Sequence, residues 1–280
     1  MESRLKEPLW ALAGSAAVFA AVMLLAYLVG PAGRIDATAL NGLMALDGRV
    51  TGSAASLAAN SANPLPLLAM LAGVVALGLY WRRPRQTAAA VAVVAGANVT
   101  AQVLKVLLAH PRYQPVLGTD QLGPVAFPSG HATAAMSIAV AFAIVAPREV
   151  RPLAALLGAG YSLAVGISVT VLGWHYPSDV VGGMLVATGF GFAALAGLSL
   201  TERHRPSPPR PGTVLAPEAR RGLLEATGLG ICAVAMVLAL SRAGEIFTYA
   251  RAHTIAVAVA FGIAVFSLTL VGVLTALSRE

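Results

Sequence analysis

Three short polar stretches interrupt an otherwise apolar sequence: Lys105-Val-Leu-Leu-Ala-His-Pro-Arg112, Pro128-Ser-Gly-His131 and Gly173-Trp-His-Tyr-Pro-Ser-Asp179. Lys105 and Arg112 are fixed cations. A lysine near the end of an apolar run must snorkel to the headgroups or meet an anion. Ser129 stands where a helix would open and can cap it, while Gly130 lets a ligand approach the free amides of the first turn. Phosphate suits that geometry. Pro177 favours the first position of the next helix, which puts Asp179 in its first turn, four residues after His175. A carboxylate so placed can accept one ring N–H of His175, fixing the tautomer and leaving the other nitrogen as a nucleophile. His131 would then supply a proton to the departing oxygen. Two histidines with these separate roles make a phosphoryl-transfer site that needs no metal and no other cofactor.

The elements that must hold these residues are membrane helices. Of the 280 residues 58% are hydrophobic and 11% charged, and the mean hydropathy is +0.78. A helix needs roughly 20 apolar residues to cross about 30 Å of hydrocarbon. Eight segments qualify, near 10–30, 64–81, 87–108, 131–147, 153–172, 180–200, 222–241 and 254–277, of which 131–147 is the shortest. The expected fold is all-α, a polytopic bundle. The first apolar run, although preceded by Arg4 and Lys6, is too long and too poor in cleavage-site residues for a signal peptide, so it is read as a retained span. The single cysteine, Cys232, excludes an intramolecular disulfide framework. The net charge of +7 is dispersed among interhelical loops, not gathered on one face, which argues against nucleic acid as a partner.

Placing the N-terminus in the cytoplasm puts thirteen of the nineteen Lys and Arg residues in cytoplasmic loops, as the positive-inside rule favours. Lys105, Arg112, His131 and His175 then share the opposite face, because the chain enters and returns once between the second stretch and the third. Residues 31–63, with Asp36, Asp47 and Arg49, read as an interfacial helix. The Pro- and Arg-rich stretch 201–221 reads as a cytoplasmic linker. It divides a six-span core, 1–200, from a two-span extension, 222–280.

Lys-x6-Arg, then Pro-Ser-Gly-His, then Ser-x6-His-x3-Asp, in this order over roughly residues 100–185, resembles the type 2 phosphatidic acid phosphatase superfamily, the lipid phosphate phosphatases. The resemblance covers the six-span core and not the last two spans. It implies that His175 becomes a phosphohistidine, that Asp179 orients it and that His131 is the general acid. It implies further that Lys105, Arg112, Ser129 and the Gly130 amide hold phosphate oxygens, without metal or cofactor. Members of this topology act from the outer leaflet of the cell membrane on phosphorylated lipids, which in bacteria include polyprenyl diphosphate, phosphatidic acid and phosphatidylglycerol phosphate. Polyprenyl (di)phosphate is the favoured substrate here.

Two positions depart from the pattern. Tyr113 stands where proline usually follows the arginine, which changes the shape of a loop. Val169, after Ser168, stands where the family has a phosphate-clamping arginine. Losing one such charge-assisted contact costs about 3–4 kcal/mol by analogy with an oxyanion donor. His110 could replace part of that charge. Val169 therefore keeps open a non-catalytic lipid-phosphate binder or transporter, and a phosphotransferase that passes the phosphoryl group to a hydroxyl other than water.

Taken singly, each signal also has a bland reading. His131 could cap a helix, His175 with Asp179 could pin a loop, and Lys105 could simply snorkel. Trp174 and Tyr176 read as interfacial-belt aromatics, and Asn98 and Gln102 as interhelical contacts. Arg242, Glu245, Tyr249, Arg251 and His253 read as headgroup contacts, or as a cover for the site.

Overall fold

The computed structural model describes residues 3–204 and 241–278, together with Gly222. Among the described residues there are ten α-helices and one 3-10 turn, and no strand. Helix α1 spans Ser3–Leu28, α2 Gly30–Met44, α3 Arg49–Asn60, α4 Pro64–Tyr80, α5 Pro84–Leu107, α6 Gly130–Val145, α7 Arg151–Val171, α8 Pro177–His204, α9 Ala243–Ala252 and α10 Thr254–Leu277. Helices α1, α5, α7, α8 and α10 are each long and apolar enough to cross a membrane. Residues Thr51–Asn60 and α4 pass the same test together but are bent by 61° at their junction. Most of the seventh expected span, 222–241, and most of the 201–221 linker lie outside the described residues.

The stretch 31–63, expected as one interfacial helix, forms two, α2 and α3. They are parted at Asp47 and Gly48, where a turn from Met44 to Asp47 interrupts the helical ladder. Neither is apolar enough to span by itself, and α2 buries Gly33, Ala37, Ala39, Leu40, Gly42 and Leu43 against the rest of the protein.

Helix α6 is the axle of the bundle. Every residue of it except Gly130, His131 and Phe142 is buried, between α5, α7 and α8. Its alanines allow this, since membrane helices associate through close backbone approach and not through the hydrophobic effect. Its 16 residues suffice because both ends finish on protein. At its C-terminal end the carbonyls of Val145 and Ala146 accept hydrogen bonds from buried Arg83, at 2.9 and 2.6 Å, and Ala146 accepts two more from Arg151. A guanidinium here also complements the negative end of the helix dipole. Arg85 pairs with Glu202 at 3.4 Å, so the start of α5 and the end of α8 lie at this same end of the bundle.

At the opposite end, α6 and α8 both begin. The Ser129 amide donates to the Asp179 carbonyl at 2.8 Å, tying the two helix starts together. The contact depends on Gly183 of α8, where a Cβ would press into the Ser129 carbonyl and the Thr133 amide. Backbone on one side and a helix on the other leave no room for relaxation. Gly183→Ala is accordingly expected to lower stability by about 1–3 kcal/mol and to displace the start of α6, which a shift in thermal midpoint together with loss of turnover would reveal.

The C-terminal helices are packed into the bundle. Helix α10 lies against α7, α8 and α2. Ser267 Oγ donates to the Ala159 carbonyl at 3.2 Å, and Arg151 Nη1 donates to Ser278 Oγ at 3.1 Å. Tyr249 of α9 donates its hydroxyl to the Gly42 carbonyl of α2 at 2.7 Å. Arg242 pairs with Glu245, and both side chains are exposed.

Candidate active site

The three polar stretches meet where α5 and α7 end and α6 and α8 begin. Local sequence explains each placement. Helix α7 stops at Gly173, whose φ of +70° is a left-handed conformation that suits glycine. The amides of Trp174 and His175 then turn back onto the Val169 carbonyl, at 2.9 and 3.2 Å. Pro177 starts α8 and sets Asp179 in its first turn. Ser129 caps α6, its Oγ accepting the Ala132 amide at 3.3 Å. Lys105 sits in the last turn of α5.

His131 and His175 face each other with ring centroids 6.2 Å apart. Lys105 reaches the start of α6, its Nζ lying 3.4 Å from where a Gly130 Cβ would stand. Gly130 thus serves close approach by a cation and by whatever that cation holds. Ser129 is fully buried, and His175 and Ser168 nearly so.

Asp179 is completely buried. Its Oδ1 is hydrogen-bonded by Arg112 Nη2, and its Oδ2 accepts the Tyr176 amide at 2.9 Å. His175 Nδ1 lies 3.6 Å from the same Oδ2, longer than a hydrogen bond, and has no hydrogen-bond partner. The bond from His175 to Asp179 that the spacing suggests is therefore present as a close approach. Such bonds are commonly long before substrate tightens them.

Arg112 is held on every side. Besides Asp179 it donates through Nη1 to Ser178 Oγ at 3.1 Å and approaches Asp36 Oδ2 at 3.4 Å. Its guanidinium lies 4.0 Å above the Tyr176 ring and 5.4 Å from the Tyr27 ring. Tyr176 is thus a correction to the sequence reading. It is 2% exposed, and its hydroxyl donates to the Arg112 carbonyl at 3.3 Å, so it is a platform for arginine and not a belt aromatic. Trp174 is 41% exposed and tilts against the His131 ring at 5.4 Å.

His110 lies apart from this group. Its exposed ring stacks on Tyr27 at 4.7 Å. Val169 is fully buried and belongs to an apolar cluster with Ala59, Ala132, Met136, Val180 and Met184. Asn98, as its position suggested, bridges helices, donating to Ser137 Oγ at 3.1 Å.

Two site residues escaped the sequence. Asp36 of α2 accepts the Ser178 amide at 2.9 Å through Oδ1 and the Ser178 hydroxyl through Oδ2. Burial first, and then Asp179, raises its carboxyl to about 6, against the opposing influence of the Ser178 hydrogen bonds and the Arg112 charge. Asn63 occupies the N-cap position of α4 but makes no cap bond. Its Oδ1 meets His131 Nε2 at 3.2 Å while its Nδ2 donates to Asn60 Oδ1 at 3.0 Å. Asn63 thereby bridges His131 and Asn60, and which of the two groups donates in the His131 contact is set by the tautomer of the imidazole. The signal in the sequence was Asn-Pro at the head of an apolar run, which reads simply as a helix start.

Residues 66–201 match the PAP2 superfamily. The matched segment contains all three polar stretches. The fold agrees: a transmembrane PAP2-type phosphatidylglycerolphosphate phosphatase from Bacillus subtilis superposes with a TM-score of 0.55 at 16% identity, covering 69% of this chain and 97% of that one. No curated protein matches the chain in sequence. With several long apolar helices around the PAP2 core, the protein is a multi-pass membrane protein. Asp36, on α2, and Asn63, in the turn between α3 and α4, both lie ahead of the matched segment.

Proposed function

We propose that this protein is a membrane phosphatase that removes phosphate from a phosphorylated lipid through a phosphohistidine. The observation that carries this reading is the facing pair of imidazoles beside Lys105 and Arg112, of which only His175 has a carboxylate behind it. One ring is thereby marked as nucleophile and the other as proton carrier.

In the proposed reaction Asp179 tightens onto His175 Nδ1–H, closing roughly 0.5 Å, and leaves Nε2 with its lone pair toward phosphorus. A nitrogen–phosphorus bond forms as the bond from phosphorus to the lipid oxygen breaks. That oxygen takes its proton from protonated His131. Water then attacks phosphorus, giving its proton to His131, and the nitrogen–phosphorus bond breaks to release inorganic phosphate. Lys105, Arg112, the Ser129 hydroxyl and the free amides at the start of α6 are placed to balance the charge on the equatorial oxygens. Polyprenyl (di)phosphate is the preferred substrate in this reading, and the positive-inside distribution supports a site on the extracytoplasmic side of the cell membrane.

The test is phosphate release by the purified protein in detergent micelles containing a chelator. The panel would hold phosphatidic acid, phosphatidylglycerol phosphate and a polyprenyl diphosphate. Release from at least one member is expected, and failure on all three with the protein intact would refute the reading. A second reading, a lipid-phosphate binder without turnover, draws on the fully buried Val169, which places an apolar side chain where the PAP2 pattern has a cation. Binding without release would select it.

Asn63 is expected to act through His131. Asn63→Ala should lower kcat about tenfold with KM little changed, and should shift the pH limb of kcat that reports His131. An unchanged pH profile would remove Asn63 from the reaction.

A further inference from the structure

Arg112 is met by two carboxylates, Asp179 and Asp36. Asp179 has a role that the spacing to His175 explains. Asp36 has none in the reaction described, and it arrives from α2, outside the segment that matches the PAP2 superfamily. Its carboxylate is nevertheless built into place. Ser178 anchors both of its oxygens, and its Oδ2 stands 3.4 Å from Arg112 Nη1. The side chains of this pair are 7% and 11% exposed, so solvent screens their interaction weakly.

We propose that Asp36 is an internal competitor for the phosphate-binding guanidinium: a positioning residue that holds the Nη1 edge of Arg112 until a phosphate oxygen takes its place. The inference rests on the phosphatase reading and adds a device to it. Arg112 keeps its Nη2 bond to Asp179 throughout, so the guanidinium stays in the site while one edge changes partner. A carboxylate so near the phosphate position weakens anion binding when ionised and much less when protonated. The charged and titratable groups that face Asp36 are Arg112 from the α5–α6 connection, Asp179 on α8 with His175 behind it, and Tyr176 before α8. The raised carboxyl of Asp36 puts the change of state near pH 6. Binding to Arg112 should thus strengthen as pH falls through that value.

The helices outside the PAP2 match explain how α2 is held for this purpose. Its C-terminal half is fixed by the Tyr249 hydroxyl on the Gly42 carbonyl. A Cβ at Gly42 would collide with Ala256 of α10. The C-terminal helices therefore bear on Arg112 through α2 and Asp36.

The experiment is calorimetric titration of the full-length protein in detergent with inorganic sulfate, a tetrahedral dianion whose charge is constant across the window used. Asp36→Asn keeps an oxygen for the Ser178 amide but turns an N–H toward Arg112. The variant is expected to bind sulfate about tenfold more tightly than the parent protein near pH 8, and to within about twofold of it near pH 5, where Asp36 is protonated in the parent. Equal or weaker binding near pH 8, or a ratio that does not close on acidification, overturns the proposal. Ser178→Ala serves if Asp36→Asn does not fold: it removes the hydroxyl that engages Oδ2, leaves that oxygen to Arg112 and should weaken sulfate binding, with tighter binding counting against the idea. A parent protein that binds no sulfate at either pH overturns this inference, and only if it also releases no phosphate from any of the three lipids does the phosphatase reading fall with it. Phosphate release from lipid with an unaltered sulfate ratio overturns this inference alone.

Discussion

His175→Ala is expected to reduce phosphate release by about 10⁴-fold or more, to the level that binding and charge stabilisation sustain without a nucleophile. The loss should fall almost wholly on turnover. His175 makes no side-chain hydrogen bond on Nδ1, and its backbone amide still has the Val169 carbonyl, so the α7–α8 turn keeps its anchors. A thermal midpoint within a few degrees of the parent protein is the companion expectation. Acid-labile, alkali-stable phosphate should be trapped on the parent protein from a labelled lipid phosphate and be absent from the variant. Turnover or trapped label that persists in His175→Ala would end the phosphohistidine assignment.

Asp179→Asn should be more damaging in a different way, because turnover and stability fall together. The carboxylate has three neighbours, Arg112, the Tyr176 amide and His175 Nδ1, all of them donors in the reacting state. An amide offers a single acceptor oxygen, so at least one donor would face an NH2 group. Leaving a buried arginine without its carboxylate costs about 3–5 kcal/mol. Loss of the orienting partner of a catalytic histidine costs about 10⁴-fold in kcat where it has been measured in the serine-protease triad. Asp179→Asn is therefore expected to unfold well below the parent in detergent and to turn over at a rate lower by 10³–10⁴, read by thermal midpoint and phosphate release on the same preparation. A variant that loses activity but not stability would mean that Arg112 is held by Asp36 and Tyr176 alone.

The contrast between these two variants reflects what the sequence made visible. The helices carrying the PAP2 core were legible because long apolar runs have few other uses, and the three polar stretches because each is local: a cap, a glycine and a histidine in four residues, or an imidazole and a carboxylate four apart. Asp36 and Asn63 were not legible. Each is a single polar residue whose partner lies far along the chain, Ser178 for one and His131 for the other, and nothing in either neighbourhood distinguishes it from a solvated residue or a helix start. Tyr176 was misread for a related reason. An aromatic at a span boundary looks the same whether lipid headgroups or a buried guanidinium lie beside it, and only the fold of the α5–α6 connection brings Arg112 over its ring. The break of 31–63 into two helices was hidden because a single Asp-Gly pair, Asp47-Gly48, is as compatible with one bent helix as with a turn.

The shortness of α6 bears on how a lipid would arrive. Sixteen residues rise about 24 Å, less than the roughly 30 Å of hydrocarbon in a bilayer, and the arginines at Val145 and Ala146 pin one end of that rod. With that end at one hydrocarbon boundary, the other end, where the phosphoryl group would be handled in the proposed reaction, would stand roughly 6 Å short of the opposite boundary. A phosphate would then reach it by dipping, with its greasy chains slipping sideways between helices as it sinks. A water-borne ester must shed its hydration to make the same descent and gains nothing from the tails it lacks. Depth alone would thus sort anchored from dissolved phosphates, with no residue needed to read the tail.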